Sequence, residues 1–261
     1  MKGLLFGGCS FTWGQGLYFY SDLPNLYNPK NIHEFLSHKV TKAQIKYKNT
    51  LYFPRLVANH FNTFEVVKEK NGGSEDETFE FFKTIFDNKN NIVSRNDNYT
   101  YDDFDYIILQ LSSVVRNKFY FKINNVEFST PGWFPNNEIL RYMELSNLTL
   151  DDCYNELLVQ QFERLKRELI FYENQGLKIK ILLWFEDLLE FIKKDDFFND
   201  KIVKFEYDNK VFKTIYELGE SYDEMYIYTD PYFKDKKFND YHPSRLLHKV
   251  IADGIIKSIE S

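Results

Sequence analysis

The chain opens with an apolar run that breaks into glycines around one serine, Gly3-Leu4-Leu5-Phe6-Gly7-Gly8-Cys9-Ser10-Phe11-Thr12-Trp13-Gly14-Gln15-Gly16. Five of the eleven glycines fall in this stretch. Glycine reaches backbone conformations closed to other residues and lets the main chain approach a neighbour closely. A glycine-poor chain that concentrates it here is therefore building a tight strand-to-helix turn. Ser10 lies at that turn, where free N–H groups and the positive end of a helix dipole suit an anion. Taken alone, Ser10 is either a helix N-cap or a nucleophile. The stretch is not an export signal, because Leu4 to Phe6 is far shorter than the roughly 7–15 apolar residues such a signal needs.

With 261 residues and no Pro/Gly/Ser-rich linker, residues 1–261 read as a single domain, and 43% hydrophobic residues suffice for a sizeable core. A net charge of −6, with Lys and Asp/Glu interspersed, leaves no electrostatic footprint for nucleic acid or an acidic membrane. Two cysteines, Cys9 and Cys153, cannot form a disulfide framework, which points to the reducing cytoplasm. The 26 Phe and 19 Tyr accompany abundant Lys, Asn and Ile, the usage expected of an AT-biased genome.

Periodicity alternates between strand and helix. Strands are expected at 2–6, 64–68, 106–111, 178–183 and 224–228, and helices at 50–61, from Ser74 to about Phe86, at 151–174 and after Ser244. Ser74 and Glu77 have capping-box spacing. Tyr106–Leu111 has the β-branched and aliphatic character of a strand covered on both faces. Alternation of this kind implies right-handed crossovers and a parallel sheet between helical layers, with ligands beyond the carboxyl ends of its strands. Segments near 18–49, 112–150 and 196–222 read as insertions.

Three blocks in this order resemble the SGNH, or GDSL-like, hydrolase superfamily. Gly8-Cys9-Ser10-Phe11-Thr12-Trp13-Gly14 is similar to the family's first block, with Cys9 in place of its aspartate. Gly73 fits the glycine after the second strand, and Asn239-Asp240-Tyr241-His242-Pro243 resembles the block before the last helix. The third block departs: in Leu109-Gln110-Leu111-Ser112-Ser113-Val114-Val115-Arg116-Asn117, Val114 falls where the family carries an oxyanion-binding asparagine. The resemblance implies a flavodoxin-like, three-layer α/β/α fold with a sheet of about five strands.

It also implies acyl transfer from a small-molecule or carbohydrate ester, with no cofactor and no metal. Ser10 would be the nucleophile and His242 its base. The backbone N–H groups of Ser10 and Gly73 would meet the oxyanion, with Ser112, Ser113 or Asn117 supplying the missing side-chain donor. For the group that orients His242, charge favours Asp240 while register favours Asn239, since the family's aspartate stands three residues before the histidine. A packing role is expected for Cys9, and packing or surface roles for His33, His38, His60 and His248, the last partly buried and satisfied.

Overall fold

The computed structural model describes residues 1–14, 17–20, 41–68, 74–86, 99–117, 119–123, 126–130, 134–227 and 242–261. Strand β1 (Gly3–Gly7) runs into a helical turn, α1 (Ser10–Trp13). Helices α2 (Lys42–Leu51) and α3 (Phe53–His60) precede β2 (Glu65–Val67), and α4 (Glu75–Phe86) precedes β3 (Phe104–Leu111). A hairpin of β4 (Phe119–Ile123) and β5 (Val126–Thr130) is followed by α5 (Asn137–Ser146), the long α6 (Leu150–Asn174) and β6 (Lys178–Leu183). The chain closes with α7 (Leu189–Ile192), a hairpin of β7 (Phe205–Tyr207) and β8 (Lys210–Phe212), α8 (Ile215–Ser221) and α9 (Arg245–Glu260).

Strands β2, β1, β3 and β6 form one parallel sheet in that order. Numbered within the sheet the order is 2-1-3-4, the beginning of the flavodoxin-type order. Side chains alternate between its faces. Leu5, Ile107, Leu109 and Ile181 meet Phe79 and Phe82 of α4 and Leu165 and Leu169 of α6. Leu4, Phe6, Ile108 and Leu182 meet Phe53 and Val57 of α3 and Leu247 and Ile251 of α9. Both faces are apolar because both are covered, and the result is a three-layer α/β/α fold.

Local signals explain the element ends. Thr149 accepts from the Asp152 N–H while the Asp152 carboxylate accepts from the Thr149 N–H, which starts α6, and Gly176 at φ +86° ends it. Ser74 accepts from the Glu77 N–H at 3.4 Å, and the Glu77 carboxylate pairs with Lys68.

Three expectations change. The helix expected at 50–61 is interrupted at Tyr52 (ψ 145°), because Pro54 cannot continue α2 but fits the first turn of α3. Among the described residues the sheet has four strands where about five are expected, and single parallel bridges, Ile181 to Ile202 and Leu183 to Thr214, continue it beyond β6. Residues 224–228 are not a sheet strand. Asp223–Met225 is a 3-10 turn, Tyr226 bridges antiparallel to Pro243, and Tyr228 lies outside the described residues. The apolar character of Met225, Tyr226 and Ile227 serves burial against the α9 side.

Of the expected insertions, 112–150 holds the β4–β5 hairpin and α5, and 196–222 holds the β7–β8 hairpin and α8. In 18–49, residues 21–40 lie outside the described part and α2 begins at Lys42.

The last residue of β1 is tightly enclosed by this packing. A Cβ on Gly7 would lie 2.3 Å from Thr78 Cγ2 and 2.4 Å from Phe82 Cζ. Gly7→Ala should therefore destabilise the protein by about 1–3 kcal/mol, the range for overpacking, read as a lower urea midpoint.

Candidate active site

Because β1 lies between β2 and β3 in a parallel sheet, the carboxyl ends of these three strands lie side by side. Gly8 carries the chain out of β1 against its neighbours: a Cβ there would sit 2.2 Å from Thr12 Oγ1 and 3.0 Å from Gln110 Oε1. Ser10 opens the helical turn α1, and Gly14 at φ +77° follows the turn's last residue. The Ser10 side chain is outside the described part, but its neighbours are fixed.

Gln110, buried at the end of β3, holds both sides of the serine. Its Nε2 is 3.3 Å from Cys9 Sγ, and its Oε1 accepts from the Thr12 hydroxyl at 2.8 Å. Cys9 is 2% exposed, and burial pushes its thiol above the ordinary range despite the hydrogen bonds to it. Such a thiol packs and does not attack.

His242 reaches the same edge from the other end of the chain. Its carbonyl accepts from the Ile227 N–H at 2.9 Å, and the Ser244 N–H donates to Met225 at 2.8 Å, so residues 242–244 are zipped to 225–227. Ser244 then caps α9, accepting from the Leu247 N–H. The half-buried His242 ring is tilted against Phe11, with centroids 5.1 Å apart, and Phe11 stacks flat on Trp184 at 3.7 Å. Since Phe11 directly follows Ser10, the ends of β1 and β6 and the approach to α9 meet around the serine turn.

Deeper in α9, His248 is fully buried, not partly as expected, and only half satisfied. Nδ1 accepts from the Phe53 N–H at 3.2 Å, and Nε2 has no partner. Burial lowers its pKa to about 3, with Lys48 and His242 adding to the effect.

The candidate oxyanion side chains after β3 all have partners within the protein. The Ser112 N–H donates to Glu75 Oε1 at 2.7 Å and its hydroxyl to the same oxygen at 3.4 Å. Asn117 Oδ1 accepts from the Glu75 N–H at 2.9 Å. The Ser113 hydroxyl donates to Asp187 at 2.9 Å, and the Val114 N–H to the same carboxylate at 3.0 Å. Asp187 also faces Tyr154, whose phenol is pushed up to about 12 by burial and by that carboxylate. Val114, where the resemblance leads one to expect an asparagine, is 1% exposed and belongs to the core.

Gly73, Asn239 and Asp240 lie outside the described residues. The sequence reading missed Gln110, Glu75 and Asp187. Glu75 stands immediately after the Ser74 cap and looks like an ordinary acidic first-turn residue. Among the described residues no three His, Cys, Asp or Glu side chains come close enough to hold a metal ion, and no helix is long and apolar enough to cross a membrane.

Comparison of the chain with models of known protein families, with curated proteins and with solved structures finds no match.

The buried His248 makes stability pH-dependent. Its pKa falls from 6.5 to about 3 on folding, so below pH 6.5 the unfolded chain takes up a proton that the native state refuses. Stability should fall with decreasing pH over that window, by up to about 1.4 kcal/mol per unit from this group. Urea midpoints between pH 7 and pH 4 should show a shallower decline for His248→Gln than for the wild type.

Proposed function

We propose that the chain is a serine esterase of the SGNH type that removes an acyl group such as acetyl from a small or carbohydrate-borne ester. The observation that carries this reading is the contact of the His242 ring with Phe11, the residue next to Ser10, at the carboxyl edge of a parallel sheet. A serine hydroxyl is a weak nucleophile at neutral pH and needs a base within hydrogen-bond reach. Histidine suits the task because its unperturbed pKa lies near the working range.

In this mechanism His242 takes the proton from Ser10 as the oxygen attacks the ester carbonyl. It returns the proton to the leaving alkoxide, which departs and leaves an acyl-enzyme. Water, deprotonated by His242, then attacks the acyl group and releases the acid and free Ser10. Backbone N–H groups of Ser10 and Gly73 receive the negative charge of each tetrahedral intermediate. The reading relies on them because the Ser112 hydroxyl is engaged with Glu75 and the Ser113 hydroxyl with Asp187.

A sugar hydroxyl replacing water in the second half would make the same residues an acyltransferase. A non-catalytic binding role is the competing reading, favoured by the buried Val114 in the third block. Free, buried Cys9 and Cys153 accord with a reducing, cytoplasmic setting.

A fluorophosphonate probe and p-nitrophenyl acetate test the assignment together. Ser10→Ala should abolish labelling and hydrolysis without lowering the melting temperature, while Cys9→Ala retains both; the reverse pattern overturns it. Adding a sugar acceptor separates transfer from hydrolysis.

The orienting group is tested separately. Only a carboxylate stabilises the imidazolium formed during attack, and replacing such a group by its amide costs about 10⁴-fold in a serine protease. Asp240→Asn should therefore cut kcat severely and Asn239→Asp should not raise it. A silent Asp240→Asn with an activating Asn239→Asp would assign the role to position 239.

A further inference from the structure

We infer that Gln110 is a positioning residue of this site: its buried side-chain amide holds Cys9 and Thr12, and thereby fixes the backbone of the turn that carries Ser10. The inference rests on the serine-esterase reading. Its first basis is where the amide lies. Side chains of β3 alternate, with Ile107, Leu109 and Leu111 in the core on the α4 and α6 side and Tyr106 and Ile108 in the core on the α3 and α9 side. Gln110 falls on the second side, 2% exposed, and its strand partner Leu182 belongs to the same apolar cluster. Trp184 and Phe11 pack on that side too, with the His242 ring against Phe11.

An amide in an apolar layer is destabilising unless its hydrogen bonds are made. Among the described residues, the side-chain partners of Gln110 are the two residues that bracket the serine. Oε1 accepts from the Thr12 hydroxyl at 2.8 Å, and Nε2 lies 3.3 Å from Cys9 Sγ, with the Leu111 carbonyl 3.5 Å away. Cys9 directly precedes Ser10 and Thr12 stands two residues after it, so each anchor acts on the serine backbone over a very short length of chain. Gly8 is an independent sign that this contact is built in. A Cβ there would lie 2.2 Å from Thr12 Oγ1 and 3.0 Å from Gln110 Oε1, so glycine leaves room for the Thr12–Gln110 bond beside the chain leaving β1. The pair of contacts suits an amide in particular. Glutamine offers an acceptor to the hydroxyl and a donor to the sulfur at once; a carboxylate offers acceptors only, and an aliphatic side chain offers neither. The bond holds the Ser10 backbone, whose N–H this reading assigns to the oxyanion, in place before charge develops.

The test measures kcat and KM for p-nitrophenyl acetate, fluorophosphonate labelling rate and melting temperature. The variants are Gln110→Leu, Thr12→Val, Thr12→Ser and the double variant Gln110→Leu/Thr12→Val. Gln110→Leu should lower kcat and labelling rate by about 10- to 10²-fold, the scale of a small misplacement of a reacting group, with KM within about twofold. The Thr12 pair separates positioning from packing. Valine keeps the shape of threonine and loses the hydroxyl, whereas serine keeps the hydroxyl and loses a buried methyl. Positioning makes Thr12→Ser the more active of the two; packing alone makes Thr12→Val the more active and overturns the inference. Because both residues act through one bond, the double variant should lose no more than the weaker single variant, and losses that multiply overturn the inference. A folded Gln110→Leu with wild-type kcat overturns it as well. If Gln110→Leu does not fold, the order of the two Thr12 variants decides. A wild-type protein that neither labels nor turns over overturns the esterase reading itself, and this inference with it.

Discussion

The parallel pairing of β1 with β2 on one side and β3 on the other is the constraint from which the rest of the structure follows. All five residues of β1 are buried, and its backbone groups are taken up by its two neighbours. A strand so enclosed can deliver its next residues only to the carboxyl edge. Thr78 and Phe82 crowd Gly7, and Thr12 and Gln110 crowd Gly8, so two glycines are needed for the chain to leave. The placement of Ser10 is thus a packing result before it is a chemical one.

Around that exit buried and half-buried polar groups join segments distant in sequence. Gln110 joins the end of β3 to Cys9 and Thr12, and Glu75 joins the start of α4 to the chain after β3. Asp187, after β6, holds Ser113 and Val114, and Ser244 joins α9 to Glu224. A buried polar group left unpaired is costly, so each such bond resists displacement more than an exposed one. These links join segments that come from both ends of the chain.

Much of this was legible in the sequence where one physical effect dominated. Continuous apolar runs located β1, β3 and β6, the Ser74 cap located α4, and Gly176 located the end of α6. Legibility failed where an apolar run had two possible uses. Residues 224–228 have strand character, but their burial comes from pairing with 242–244 and packing on α9, a choice that only the tertiary arrangement makes. The β7–β8 hairpin went unread although Asp208 and Asn209, both at positive φ, are residue types that favour such turns. At the candidate site, the meeting of the serine turn with His242 at one edge of the sheet was readable from motif and order. Glu75 was not, because a carboxylate after a cap has the same local signature whether it faces water or a neighbouring loop. The positions 73, 239 and 240 lie outside the described residues, and their roles rest on the resemblance alone.

The flat stack of Phe11 on Trp184 carries a consequence of a different kind. It places an indole in van der Waals contact with the ring that touches His242, inside the core and shielded from bulk water. Indole emission responds to nearby charge and to the polarity around it. With Trp13 and Trp133 replaced, Trp184 is therefore an intrinsic optical probe two ring contacts from the imidazole, reporting on this edge of the sheet without an added label.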